Sequence, residues 1–205
     1  PYKITIEFYR DNQRSPTFFR IAVMISKKYT PIVLLSTSLM AAIPAHADSS
    51  TTSKVGDVLA FAIPAAAYGS TYYMDDKEGR QQFYYSFATN VATTQVLKSV
   101  TDKERPNGRD EKSFPSGHTS MAFQGASFIH KRYGLEYSIP AYIGAGFVAY
   151  SRVEADEHDV ADVVAGAALG VASSMYLTKS YYDDQLHIAT NLAPDYHGVP
   201  VHYNF

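Results

Sequence analysis

Two histidines, one aspartate and three cations stand in this chain in an order that suits chemistry on a phosphoryl group. Lys98 is followed after six residues by Arg105-Pro106, then by Pro115-Ser116-Gly117-His118, then by Ser151-Arg152, His158 and Asp162. His158 and Asp162 are four apart in a stretch that reads as a helix, so their side chains share one face. The carboxylate can accept the proton of one imidazole nitrogen and leave the other as a nucleophile. His118 follows a Ser-Gly step at a predicted helix start. Pro115 discourages helix before it, Ser116 can cap the turn that follows, and the amides there, Gly117's included, can point at an anion. His118 then suits a general acid on the leaving oxygen and a base on the attacking water. Lys98, Arg105 and Arg152 supply three positive charges. The planar fork of arginine matches the equatorial oxygens of a transferring phosphoryl group, and lysine adds a compact charge. Such a transfer asks mainly for positioning and charge stabilisation. It requires no metal, and the chain has neither a carboxylate cluster nor an HExxH segment to hold one.

A blander reading competes with each motif. The stretch Ser151–Asp162, SRVEADEHDVAD, carries five acids, and a charge run is usually a solvated face. A single histidine in an apolar helix is more often a satisfied core residue. Neither reading accounts for all three motifs together. Within the acidic run, Glu157 and Asp159 are expected to favour a helix amino terminus, and Glu154 and Asp156 to face solvent. Negative charge near His158 raises its pKa unless the cations offset it.

The ordered set, with its internal spacing, resembles the signature of the type 2 phosphatidic acid phosphatase superfamily, which includes bacterial non-specific acid phosphatases and vanadium-dependent haloperoxidases. The resemblance extends over roughly residues 56–178, and the DVVAGAALG run after the histidine is similar as well. It implies transient phosphorylation of His158, phosphate binding by Lys98, Arg105, Ser116, Gly117, His118 and Arg152, and support of the nucleophile by Asp162. The sequence KSFPSGHT resembles the lipid-type branch more than the soluble acid phosphatases, which usually show GSYPSGHT. The acids around His158 depart from the family pattern, where aromatic or small residues are commoner. The implied activity is a metal-independent, cofactor-free phosphatase acting on lipid phosphates, pyrophosphates or soluble phosphomonoesters. The alternatives are a vanadium haloperoxidase and a non-catalytic phosphate-binding envelope protein.

These residues need a scaffold, and the periodicity predicts an all-α bundle of five to six helices. Helices are expected near residues 56–74, interrupted at Pro64, and near 80–100, with Phe83, Phe87, Val91 and Val96 spaced for one buried face. A polar loop with an Asn107-Gly108 turn follows. Three more helices are expected near 116–133, 138–151 and 158–178, the last with Gly166 and Gly170 placed for close backbone approach. None reads as a bilayer span of about 20 apolar residues: Asp57 and Pro64 break the first, the fourth is short, and Asp159 and Asp162 open the fifth. A water-soluble or peripheral bundle follows, with possible membrane contact. In the tail, residues 181–205, two short stretches flank APDYHG and suggest a hairpin or a strap over the bundle.

The chain has 205 residues, 46% hydrophobic and 14% aromatic, enough for one domain with a sizeable core. It contains no cysteine, so disulfides and thiolate metal sites are excluded. Its formal net charge of −2 lacks the basic face of a nucleic-acid binder. From Met24, two lysines, an apolar run and Ala45-His46-Ala47 read as a secretory signal segment over residues 24–47. Residues 1–23 then read as an over-extended amino terminus, residues 48–180 as the phosphatase domain, and the product as an exported protein of the bacterial periplasm, free or membrane-associated.

Overall fold

Five helices carry the site. The structure is a computed structural model that describes residues 3–6, 49–181, 186–188, 191–193, 196–198 and 201–204. The signal reading of residues 24–47 lies outside the described residues. The chain divides into two units, residues 31–180 and residues 1–30 with 181–205.

The larger unit contains α1 (Ser49–Tyr73), α2 (Lys77–Thr101), α3 (Gly117–Tyr133), α4 (Leu135–Glu154) and α5 (Val160–Leu177). The all-α expectation holds for it. α3 is central and packs against the other four. The apolar core is small: Leu59, Ala60 and Ile63 of α1 meet Ala122 and Ala126 of α3 and Ala145 and Val148 of α4. α1 runs straight through Pro64 instead of breaking there. A mid-helix proline removes one backbone hydrogen bond, and here the loss is offset by burial of Pro64 against Gly125 of α3. The predicted close approach at Gly166 and Gly170 is also present. A Cβ on Gly166 would lie 2.4 Å from the Ser116 carbonyl oxygen, and one on Gly170 2.3 Å from that of Ser120. The first turns of α3 therefore rest directly on the backbone of α5.

The buried face of α2 differs from the sequence expectation. Phe83 is buried, but Val96 is 60% exposed, and the rest of the inner stripe is Gln82, Ser86, Asn90 and Thr94. Ser86, Asn90 and Thr94 find partners on α3, and Gln82 finds them in Glu78 and the Lys179 amide. Asn90 Nδ2 donates to Ser120 Oγ at 3.2 Å, Thr94 Oγ1 lies 3.1 Å from the same hydroxyl, and Gln124 Nε2 donates to Ser86 Oγ at 3.0 Å. Large apolar side chains instead line the outside, among them Phe61 on α1, Val100 on α2, Ile139 and Ile143 on α4 and Val164 on α5. A hydrogen-bonded interior under an apolar exterior reverses the arrangement that water selects, and it suits helices that associate in lipid.

α5 also departs from the sequence reading, being long and apolar enough to cross a membrane by length and composition. Neither of the two acids thought to prevent this sits on the outer face of the helix itself. Asp159 is the N-cap, just before the helix, and Asp162 is fully buried.

At the end of the bundle where α2 starts and α3 stops, a buried ion pair fixes the helices. Arg132 Nε and Nη2 donate to the two carboxylate oxygens of Asp76 at 2.7 and 2.8 Å. Asp76 also accepts from Tyr133 Oη at 2.9 Å and from the Gly79 amide at 2.8 Å, which makes it the N-cap of α2.

In the smaller unit, β1 (Lys3–Ile6), β2 (Leu186–Ile188) and β5 (Val201–Asn204) form an antiparallel sheet in the order β1-β5-β2. β3 (Asn191–Ala193) and β4 (Tyr196–Gly198) form the expected hairpin, with Leu192 opposite His197. Ala193 and Tyr196–Gly198, which the sequence reading placed between the two strands, lie within β3 and β4.

Candidate active site

The start of α5 is built by a reciprocal cap. Asp159 Oδ1 accepts from the Asp162 amide at 3.0 Å, and Asp162 Oδ2 accepts from the Asp159 amide at 3.2 Å. This cap directs the Asp162 carboxylate back toward the preceding loop, where His158 is 2% exposed. His158 Nδ1 lies 3.5 Å from Asp162 Oδ2 and 3.4 Å from Ser113 Oγ, and Ser113 donates to that same carboxylate oxygen. With Nδ1 turned toward the carboxylate, Nε2 is the nitrogen left to meet a substrate. The pair meets as expected, but not across a helix face: His158 precedes the N-cap, and the cap turns Asp162 back to it.

Two residues of this arrangement were not foreseen from the sequence. Ser113 is one. Lys103 is the other: its Nζ bonds Asp162 Oδ1 at 2.7 Å and Asp159 Oδ2 at 2.5 Å. Between them, Lys103, Ser113 and the Asp159 amide engage both oxygens of Asp162, which fixes the rotamer of the group that faces His158.

The Pro115–His118 turn joins the same end of the bundle. The Ser116 amide donates to the Asp162 carbonyl at 3.0 Å, and α3 begins at Gly117. Ser116 stands at the N-cap, but its side chain does not cap the helix and bonds Thr119 Oγ1 at 3.0 Å instead. The leading amides of α3 therefore keep the unsatisfied donors of a helix start. Lys98, in the last turn of α2, passes this turn: a Cβ on Gly117 would lie 3.8 Å from its Cε. Lys98 Nζ donates to the Lys112 carbonyl at 2.7 Å.

Both arginines are already held by acids. Arg105 Nε bonds Asp110 Oδ1 at 2.8 Å, and Arg105 Nη1 bonds Glu157 Oε2 at 2.5 Å. Glu157 also takes Arg109 Nη1 at 2.7 Å, so it serves the arginines, not the helix terminus for which it was expected. Glu154 and Asp156 are exposed as anticipated. Arg152 is 3% exposed, and its Nη1 bonds Asp57 Oδ1 at 2.6 Å. The same carboxylate oxygen lies 3.5 Å from His118 Nε2. Arg152 thus pairs with an acid of α1, a partner the sequence reading did not give it. The backbone ties the remaining motif in, because the Glu157 and His158 amides both donate to the Arg152 carbonyl.

The cations outweigh the acids at His158. Burial first, then Lys98 and Arg105, push its pKa down to about 4, against the opposing pull of Asp162. His118 is also lowered, chiefly by burial and then by Arg152, with Asp57 opposing. Both rings are therefore weaker bases than an ordinary histidine. Among the described residues, no group of three or more His, Asp or Glu side chains is arranged to hold a metal ion.

Residues 107–185 match the PAP2 superfamily. Over 70 residues the chain is 41% identical to a lipid A 1-phosphatase of Porphyromonas gingivalis, covering 33% of this chain and 16% of that protein. It is 27% identical over 95 residues to a lipid A 4'-phosphatase of Helicobacter pylori, covering 46% of this chain and 48% of that one. The chain thus spans less than half the length of these curated relatives. Among solved structures, Aquifex aeolicus LpxE superposes with a TM-score of 0.48 at 20% identity, over 75% of this chain and 98% of that one. A PAP2 type phosphatidylglycerolphosphate phosphatase of Bacillus subtilis gives a TM-score of 0.40 at 23% identity, over 74% and 94%.

Proposed function

We propose that this chain, which matches the PAP2 superfamily over residues 107–185, is a metal-independent phosphatase that hydrolyses phosphate monoesters through a phosphohistidine at His158. The observation that carries this reading is the pairing of His158 Nδ1 with an Asp162 carboxylate held by Lys103 and Ser113, with Lys98 and Arg105 near enough to act on the ring. Nε2 of His158 attacks phosphorus, the bond to the leaving oxygen breaks, and His118 gives that oxygen a proton. His118 then takes a proton from water, the water oxygen attacks phosphorus, and the N–P bond breaks to release phosphate. Lys98, Arg105, Arg152 and the amides at the start of α3 stabilise the charge on the equatorial oxygens.

A phosphorylated lipid is the substrate class we favour. The apolar exterior and α5 support a membrane-associated protein, and both curated relatives are phosphatases of lipid A. The test is hydrolysis of a micellar lipid phosphate and of p-nitrophenyl phosphate by the full chain in detergent and EDTA, with and without vanadate. Turnover that survives EDTA and is blocked by vanadate supports the reading. Turnover that disappears in EDTA, or a well-folded protein inert toward both substrates, overturns it.

The lowered histidines set the expected pH profile. His158 must be neutral to attack, so kcat/KM rises as pH passes its pKa of about 4. His118 must carry a proton to donate, so kcat/KM falls once pH passes a value below the ordinary histidine pKa of about 6.5. The optimum is expected to be acidic. A kcat/KM profile still climbing above neutrality would contradict these assignments.

A further inference from the structure

Asp57 has no part in the mechanism above, yet its carboxylate meets two groups that the mechanism assigns to substrate oxygens. Oδ1 accepts from Arg152 Nη1 at 2.6 Å and lies 3.5 Å from His118 Nε2. One is a phosphate ligand and the other the donor to the leaving oxygen. We propose that Asp57 is a specificity-determining residue that competes with substrate anions at the leaving-group side of the site, and so favours phosphate monoesters with neutral, hydroxyl-bearing leaving groups over diphosphates. This inference rests on the phosphatase reading and names the substrate class of that same site.

The carboxylate is not needed as a tether. Gly56 brings α1 so close to α4 that a Cβ there would lie 2.0 Å from Ser151 Oγ and 3.0 Å from Arg152 Nη2. Arg152 Nη2 donates to the Ser53 carbonyl at 2.6 Å and to Ser53 Oγ at 3.1 Å. Two neutral acceptors one turn earlier therefore already hold Arg152 to α1. What Asp57 adds is a negative charge on a side chain 48% exposed, able to share or yield its place. A phosphoryl oxygen that engages Arg152 Nη1 meets this charge at close range. A second phosphate in the leaving group meets it again, whereas a leaving-group hydroxyl can donate to it.

The experiment compares wild type, Asp57→Asn and Ser53→Ala as full chains in detergent at one ionic strength. Binding of inorganic phosphate is read by calorimetry, and kcat/KM is read for a lipid monophosphate against the corresponding lipid diphosphate. Asp57→Asn is expected to bind phosphate about tenfold tighter and to narrow the monophosphate preference by about tenfold, between the limits for exposed and buried charge pairs. Ser53→Ala, which loosens the same contact without removing charge, is expected not to tighten phosphate binding. If wild type binds phosphate and Asp57→Asn binds it no tighter, Asp57 is only a tether and the proposal fails alone. If neither protein binds phosphate and vanadate does not inhibit, the phosphatase reading fails and this proposal with it.

Discussion

His158→Gln is expected to lower kcat for phosphate-ester hydrolysis by at least about four orders of magnitude, the scale seen when a covalent nucleophile is removed. Phosphate affinity should survive, because Lys98, Arg105 and Arg152 do not depend on the ring for their own contacts. The glutamine amide keeps a polar group near Asp162 and Ser113, so the fold should be retained. Rapid acid-free quenching of wild type with labelled substrate should trap an acid-labile phosphoprotein that the variant cannot form. A variant that still turns over within tenfold of wild type would move the nucleophile elsewhere. Lys103→Met offers a graded comparison. It removes one partner of Asp162 but leaves Ser113 and the Asp159 amide, so the loss expected is about ten- to a hundredfold in kcat.

Arg132→Met should be the most destabilising single change outside the site. Arg132 and Asp76 are each only 2% exposed, and removing the guanidinium leaves a buried carboxylate with only a tyrosine hydroxyl and one amide. Loss of one partner of such a pair costs about 3–5 kcal/mol. Thermal unfolding in detergent should show the melting point fall sharply. The double variant Asp76→Asn with Arg132→Met should recover part of the loss, since the stranded charge is gone. The pair lies at the end of α2 and α3 opposite Lys98 and His118, so the fraction that remains folded should keep its kcat/KM. A single variant as stable as the double would mean that the ion pair contributes little.

The helices and the order of the motif residues were legible because both are written locally. Periodicity marks a helix within a dozen residues, whereas the His158–Asp162 contact, expected from a shared helix face, comes from the cap at Asp159 with His158 ahead of α5. What the sequence concealed depends on contacts between distant segments. Asp57 reaches Arg152 across 95 positions, and Ser113 reaches Asp162 across 49. Lys103 lies in a loop crowded with other charges, where no spacing separates it from Lys112 or Arg109. The inner face of α2 failed for another reason. Assigning Val96 to the core assumed water outside, whereas Asn90 and Thr94 are buried on hydrogen bonds to Ser120. The same assumption hid α5, whose two opening acids counted against it until their positions were known.

The reciprocal cap at Asp159 and Asp162 makes one carboxylate answer to two masters. The side-chain oxygen that accepts the Asp159 amide, and so helps start α5, is the one that faces His158. A chain whose fifth helix begins one residue early or late loses its orienting acid in the same event. Partly assembled molecules should therefore be silent and not sluggish. Heated or aged preparations should lose active sites in number while each survivor works at full rate, so that titrating active sites amounts to counting correctly started helices.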